Sequence, residues 1–257
     1  MSDFDRNVAA ARRGYGAGRA LEVDAGLRAH MIRVYNYMAM GVALTGVAAW
    51  IAFQMAGGDA IIVTARGIGG LTPFGQLIFS TPGQIVLLLG TFGLVMFISF
   101  RIHALQAGTA LTLFMTYAAF LGVALSSIFV VYTGVSITRV FFISAASFGA
   151  LSLWGYTTQR DLTGMGSFLM MGVIGIMLAM LVNLFLKSTQ LDFIISCIGV
   201  LCFAGLTAYD TQKIKEMYDV SEDSTVTGRK AVMGALSLYL DFINLFLFLL
   251  RLVGDRR

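Results

Sequence analysis

The chain has 257 residues, of which 58% are hydrophobic and 12% charged, and its mean hydropathy is +0.81. Soluble domains carry about 25% charged residues, so this composition excludes an ordinary soluble domain and indicates a protein that crosses a membrane several times. The formal net charge is only +4, and the basic residues stand at segment ends rather than in one patch. We therefore expect no nucleic-acid partner.

The chain opens with residues 1–28, which are polar and rich in arginine and glycine and predict a mobile basic arm. Seven apolar segments follow, each long enough for a helix across about 30 Å of hydrocarbon. They cover residues 31–55, 84–101, 107–132, 137–157, 164–186, 190–211 and 231–253. The sequence thus predicts an all-α integral membrane protein with a single seven-helix transmembrane domain over residues 29–257.

Two connections differ from the rest. Residues 56–83 form a long glycine-rich loop with both prolines, and residues 214–230 form a charged loop. With the N-terminus in the cytoplasm, twelve basic residues fall on the cytoplasmic side and three on the other, as the positive-inside rule favours. Three further arginines follow the seventh segment, so that segment either crosses fully, which we favour, or is re-entrant.

Two carboxylates stand inside or at the end of apolar segments: Asp210 in the sixth and Asp241 in the seventh. An ionisable side chain at that depth is costly and is typical of a functional site. The short connection between the two segments makes them neighbours, so we expect the carboxylates to meet and to share one proton.

Arg101, at the end of the second segment, is the best candidate for a basic partner on the same side. The three residues together suggest a pH-sensitive latch, in which protonation removes the ion pair and lets helices separate. The deprotonated carboxylates of Asp210 and Asp241 would attract a cation and suit transient calcium binding through oxygen.

Other polar side chains are expected to support this pair. Thr207 shares a helical face with Asp210, and Tyr209 precedes that aspartate directly. On the seventh segment a polar stripe at spacings of four, three and seven residues comprises Ser237, Asp241, Asn244 and Arg251. That stripe predicts that the seventh helix lies inside the bundle.

Three stretches carry a resemblance to a known family: LSLYLDFINLFLFLLRLVG (236–254), GLTAYDTQKIKEMY (205–218) and YTTQRDLTGMGSFLMMGVIGIMLAMLVNLFL (156–186). They closely resemble the Bax inhibitor family of bacteria and eukaryotes. The resemblance implies six helices around a central seventh and a pH-sensitive calcium leak, with the paired aspartates at Asp210 and Asp241. Some bacterial members also carry a glutamate in the second helix, which this sequence lacks.

The function expected from these residues is a calcium (cation) leak channel that is not an enzyme and holds no tightly bound cofactor. Its partners would be the lipid bilayer, calcium and protons, and its location the bacterial inner membrane. One alternative is a non-catalytic regulator that binds another membrane protein, such as a quality-control protease. The other is an intramembrane aspartic protease, which the absence of a proline after Pro82 disfavours.

Overall fold

The computed structural model describes the backbone of residues 3–64 and 67–257 and the side chains of residues 25–63, 67–102 and 104–257. The helices are α1 (Asp3–Ala56), α2 (Pro73–Phe79), α3 (Thr81–Arg101), α4 (Ala107–Leu125), α5 (Ile128–Val131), α6 (Gly134–Thr157), α7 (Thr163–Leu186), α8 (Thr189–Glu216) and α9 (Ser224–Val253). A small antiparallel hairpin pairs β1 (Ile62–Thr64) with β2 (Gly67–Gly69).

Seven helical stretches in the described part of the chain are long and apolar enough to cross a membrane, which confirms the predicted number of spans. They are Ala25–Ala56, Thr81–Arg101, Ala107–Val131, Gly134–Thr157, Thr163–Leu186, Thr189–Glu216 and Ser224–Val253. The predicted arm covers residues 1–28. The side chains of residues 1–24 lie outside the described residues. Residues 25–28 belong to α1.

The last helix, α9, lies at the centre of the bundle. In its apolar stretch 61% of the residues are buried, compared with 11% in α7. The helices α1, α4, α6 and α8 pack directly on α9, while α3 packs on α4 and α7 packs on α8. The predicted central C-terminal helix is confirmed, with four helices forming its main contacts and two completing the ring from outside.

Small residues allow the helices to approach closely, as is typical of packing in lipid. A Cβ atom at Gly155 of α6 would lie 2.2 Å from the carbonyl oxygen of Ala208 on α8. At Gly122 of α4 a Cβ would lie 2.5 Å from the carbonyl oxygen of Thr45 on α1. Only glycine fits these two positions without moving a neighbouring backbone.

The two ends of the bundle are distinguished by their connections. The hairpin end carries β1 and β2, and the opposite end carries residues 217–223, which connect α8 to α9 and which we call the α8–α9 end. At the hairpin end the chain terminus is fixed by two backbone hydrogen bonds, Thr133 N to Asp255 O (3.1 Å) and Arg257 N to Val131 O (2.9 Å). Since α9 is continuous between the two ends, it is a full span and not a re-entrant segment.

The two connections predicted as loops include helical residues at their ends. Within residues 56–83 the structure has a hairpin and α2. Both α2 and α3 start at a hydroxyl cap and have a proline as their first or second residue. Thr72 Oγ1 accepts from Gly75 N and Ser80 Oγ accepts from Gly83 N, each at 3.1 Å. Within residues 214–230, helix α8 continues to Glu216 and α9 starts at Ser224. Charged turns can extend a helix beyond the apolar layer because water satisfies their side chains, so hydropathy alone places the boundary too early.

Candidate functional site

The structure brings the two predicted carboxylates together between α8 and α9. The side chains of Asp210 and Asp241 lie close enough to interact with each other. Asp241 is 5% exposed, and its Oδ2 meets no N–H or O–H donor among the described residues. Two ionised carboxylates have no hydrogen to share and repel each other, so one proton between them both relieves the repulsion and supplies the missing donor.

A cavity of about 320 Å³ leads from the α8–α9 end to this pair. Asp210 and Ser237 lie in its wall, and Asp241, one helical turn beyond Ser237, lies behind them. The remaining wall is largely apolar, with Ile102, Ile214 and Met233 among its side chains. The pair is therefore accessible from one end of the bundle through Asp210.

Basic side chains line this cavity, and the sequence analysis did not identify them as neighbours of the paired carboxylates. Lys213, Arg229 and Lys230 line it. Lys213 lies three residues after Asp210 on α8 and interacts with that carboxylate electrostatically. The spacing of three residues on one helix was the signal that could have identified Lys213.

The connection between α8 and α9 is fastened to this basic wall. Lys230 Nζ donates to the carbonyl oxygen of Met217 at 2.8 Å and forms a half-buried ion pair with the Glu222 carboxylate at 2.6 Å. Next to it, the ring of Tyr218 lies 5.4 Å from the ring of His30 on α1. These contacts hold residues 217–223 beside the mouth of the cavity.

Arg101 is placed differently from the two aspartates. It ends α3, its side chain is exposed, and it is not among the residues that line the cavity. The basic group that acts on Asp210 in the structure is Lys213 instead. The end of α3 and the aspartates do share the α8–α9 end, because Ser99 and Ile102 line the same cavity.

The other predicted polar residues spread along the bundle. Thr207 is fully buried and donates to the carbonyl oxygen of Phe203 at 2.8 Å, so it does not reach the pair. Tyr209 packs its ring against Gly166 of α7. Asn244 donates to the carbonyl oxygen of Leu240 at 2.8 Å within its own helix.

The last residue of the predicted stripe lies at the hairpin end. Arg251 Nη1 is 3.7 Å from Asp192 Oδ1 at the start of α8. Of the stripe, only Ser237 and Asp241 belong to the region of the paired carboxylates.

Beyond the pair, towards the hairpin end, α9 is packed by aromatic side chains. Phe242, 4% exposed, meets Phe148 edge-on at 5.6 Å between ring centroids. Phe248 stacks on Phe203 at 5.7 Å. The structure thus has an open approach, lined by basic and apolar side chains, on one side of the carboxylates and a dense apolar layer on the other.

The described residues contain no group of three or more His, Cys, Asp or Glu side chains suited to a metal ion. At the pair the protein offers two carboxylates and the nearby Ser237 hydroxyl, whereas calcium takes six to eight oxygen ligands. These donors alone do not complete a calcium site.

Comparison with known proteins agrees with this architecture. A family model described as inhibitor of apoptosis-promoting Bax1 matches residues 27–257. The inner membrane protein YbhL of Escherichia coli (strain K12) is 46% identical over 235 residues, which cover 91% of this chain and 94% of that protein.

Two further relatives extend along most or all of the chain. The uncharacterized protein RP147 of Rickettsia prowazekii is 45% identical over 234 residues, 91% of this chain and 92% of that protein. An uncharacterized protein of Caulobacter vibrioides is 42% identical over 261 residues, the full length of both chains. The matched residues therefore cover all seven spans and the positions of Asp210 and Asp241.

Proposed function

Because the chain belongs to the Bax inhibitor family of membrane proteins, we propose that it is a pH-sensitive leak channel for calcium and other cations. The observation that carries the proposal is the buried contact between Asp210 and Asp241 at the end of a cavity that opens from one side of the bundle. A pair of adjoining carboxylates changes its charge in single-proton steps, so its attraction for cations depends on pH.

Gating follows from the charges around the pair. With one shared proton the pair carries one negative charge, and Lys213 on α8 balances it. A second proton, taken up as the pH falls, cancels that charge and weakens the attraction between the pair and the basic wall. We propose that α8 and α9 then separate and admit water, so that flux rises as the pH falls. Arg101 remains a second basic partner in this proposal, reached when the helices move.

In the open form the carbonyl oxygens of the protonated Asp210 and Asp241 side chains, together with the admitted water, supply oxygen ligands to a passing cation. The proposal includes no resident cofactor and no catalytic step. It places the protein in the inner membrane of a bacterium, as its relative, the inner membrane protein YbhL of Escherichia coli, suggests. The α8–α9 end, with Lys213, Lys215, Arg229 and Lys230, would face the cytoplasm together with the N-terminus.

The test is calcium flux from liposomes against pH for the wild type, Asp210→Asn and Asp241→Asn. We expect the wild-type flux to rise as the pH falls and both variants to lose that dependence. Asp161→Asn is the matched control, because Asp161 is an exposed carboxylate in the connection between α6 and α7. Unchanged flux and pH dependence in both site variants would refute the proposal.

Two outcomes would favour the other functions. Cleavage of a helical reporter that disappears in either aspartate variant would favour an intramembrane aspartic protease, since paired carboxylates can activate water. Co-purification with a membrane protease that survives loss of both aspartates, without any flux, would favour a regulator.

A further inference from the structure

A groove between α1 and α6 opens sideways from the bundle. The two helices face each other without close packing in the described part of the chain. Near the α8–α9 end a cavity of about 710 Å³ lies between them. Met31 and Ile32 form one wall on α1, and Phe148, Gly149 and Leu153 form the other on α6.

The groove faces the region that hydrocarbon occupies. Ile32 is 49% exposed and Leu153 is 64% exposed, so both present apolar surface to the bilayer. A Cβ atom built at Gly149 would meet no other atom within 4 Å, which shows open space along this part of α6. An acyl chain has the shape and the chemistry to fill such a space.

The polar groups at the bottom of the groove already have partners. Thr211 donates to the carbonyl oxygen of Thr207 at 2.7 Å, so it accepts from Ser152 at 2.9 Å. Ser152 in turn accepts from the hydroxyl of Tyr35 at 2.5 Å. The chain of donors runs from α1 through α6 to α8 and is complete, which leaves this part of the wall with no polar atom in need of a ligand.

The mouth of the groove is positively charged. Arg28 lines the cavity at the start of the first span. Lys215 Nζ donates to the carbonyl oxygen of Tyr156 at 2.9 Å and lies 5.1 Å from the centre of its ring, and Tyr156 also lines the cavity. Basic and tyrosine side chains at the ends of spans lie at the depth of lipid headgroups.

We propose that this groove binds an anionic phospholipid, with the phosphate group beside Arg28 and Lys215 and an acyl chain along Gly149. Charge complementarity identifies the occupant: a partner helix would have to bury the guanidinium of Arg28 against apolar surface, which costs free energy, whereas a lipid phosphate pairs with it at the interface. A zwitterionic lipid also fits the apolar wall, but its headgroup is attracted less strongly to the basic side chains at the mouth.

The experiment is native mass spectrometry of the purified full-length protein in detergent, titrated with phosphatidylglycerol or with phosphatidylcholine. The variants are Arg28→Gln, which removes the charge, and Gly149→Leu, which fills the open space. Arg139→Gln removes a charge at the other end of α6, and Gly93→Leu adds the same side chain to α3, where a Cβ also meets nothing within 4 Å.

We expect the wild type to bind phosphatidylglycerol about fivefold more tightly than phosphatidylcholine, and Arg28→Gln to lose about that factor for phosphatidylglycerol alone. Gly149→Leu should weaken both lipids, and both controls should match the wild type. Equal binding of the two lipids to the wild type, or undiminished binding in Gly149→Leu, would overturn the proposal. Because Arg28→Gln acts on an exposed side chain, its result stands even if Gly149→Leu alters the packing of α6.

Discussion

The hydroxyl group of Tyr239 donates a hydrogen bond to Thr45 Oγ1 across 2.6 Å at the centre of the bundle. This direction satisfies both hydroxyls, because the single proton of Thr45 is then available to the carbonyl oxygen of Gly41 or of Ala118, each at 2.9 Å. Tyr239 is fully buried and stands two residues before Asp241. This contact therefore ties α9 to α1 and α4 at about the depth of Asp241 but on a different face of α9.

Replacing Tyr239 with phenylalanine should lower the free energy of unfolding by about 1 kcal/mol, since one buried hydrogen bond is lost while Thr45 keeps its carbonyl acceptors. The edge-on contact of the ring with Phe114, at 5.3 Å, stays. Thermal unfolding in detergent measures the change. Tyr37→Phe on α1 is the control, because no hydrogen bond of its hydroxyl is found among the described residues; an equal loss in both variants would contradict the assignment.

The close approach of α6 and α8 at Gly155 makes a second prediction. An alanine there would bring its Cβ against the backbone of Ala208, so the helices must separate, at a cost of about 1–3 kcal/mol. Gly149→Ala on the same helix adds the same methyl group where nothing lies within 4 Å and should be neutral or slightly stabilising. Comparable thermal midpoints for the two variants would show that α6 can shift freely on α8.

The ion pair between Lys230 and Glu222 predicts the local stability of the α8–α9 connection. Lys230→Gln removes a half-buried pair and weakens the bond to Met217 O, so the amides of residues 217–223 should exchange about fivefold faster, corresponding to roughly 1 kcal/mol. Arg139→Gln serves as the control, because its pair with Asp255 is long, at 3.7 Å, and exposed. Unchanged exchange in Lys230→Gln would mean that other contacts hold this connection.

Hydropathy alone predicted the seven spans because the bilayer requires long apolar helices whose backbone groups are satisfied internally. The short connection between the sixth and seventh segments also predicted that Asp210 and Asp241 meet, since consecutive helices with a short connection pack as neighbours. Both inferences rest on local sequence and need no knowledge of the packing between distant helices.

Long-range pairing was beyond the sequence. Arg101 was chosen by its depth, but which face of α3 meets α9 depends on contacts among several helices, and the structure turns that arginine outward. The hydroxyls of Ser152 and Thr211 could not be paired either, because serine and threonine in membrane helices commonly bond their own backbone, as Thr211 also does. Such hydrogen bonds between helices depend on how segments that are distant in the chain align against each other.

The paired carboxylates make a prediction that does not depend on ion flux. At high pH the loss of the shared proton leaves two adjoining negative charges at Asp210 and Asp241, whose repulsion should lower the thermal midpoint of the wild type relative to neutral pH. Asp241→Asn carries an amide that donates to Asp210 at any pH, so its midpoint should change much less. Asp210→Asn should behave alike, and the double variant should show no further loss of pH dependence, because the two groups act as one unit.

Thermal unfolding at neutral and high pH measures this coupling in all four proteins. Asp192→Asn is the matched control on α8, since its carboxylate faces Arg251 at the hairpin end and not another acid. If each aspartate variant removed half of the pH dependence and the double variant all of it, the carboxylates would titrate independently. Asp210 and Asp241 would then be neighbours without a common proton. That result would refute the gating step proposed for the channel, because the step requires the shared proton.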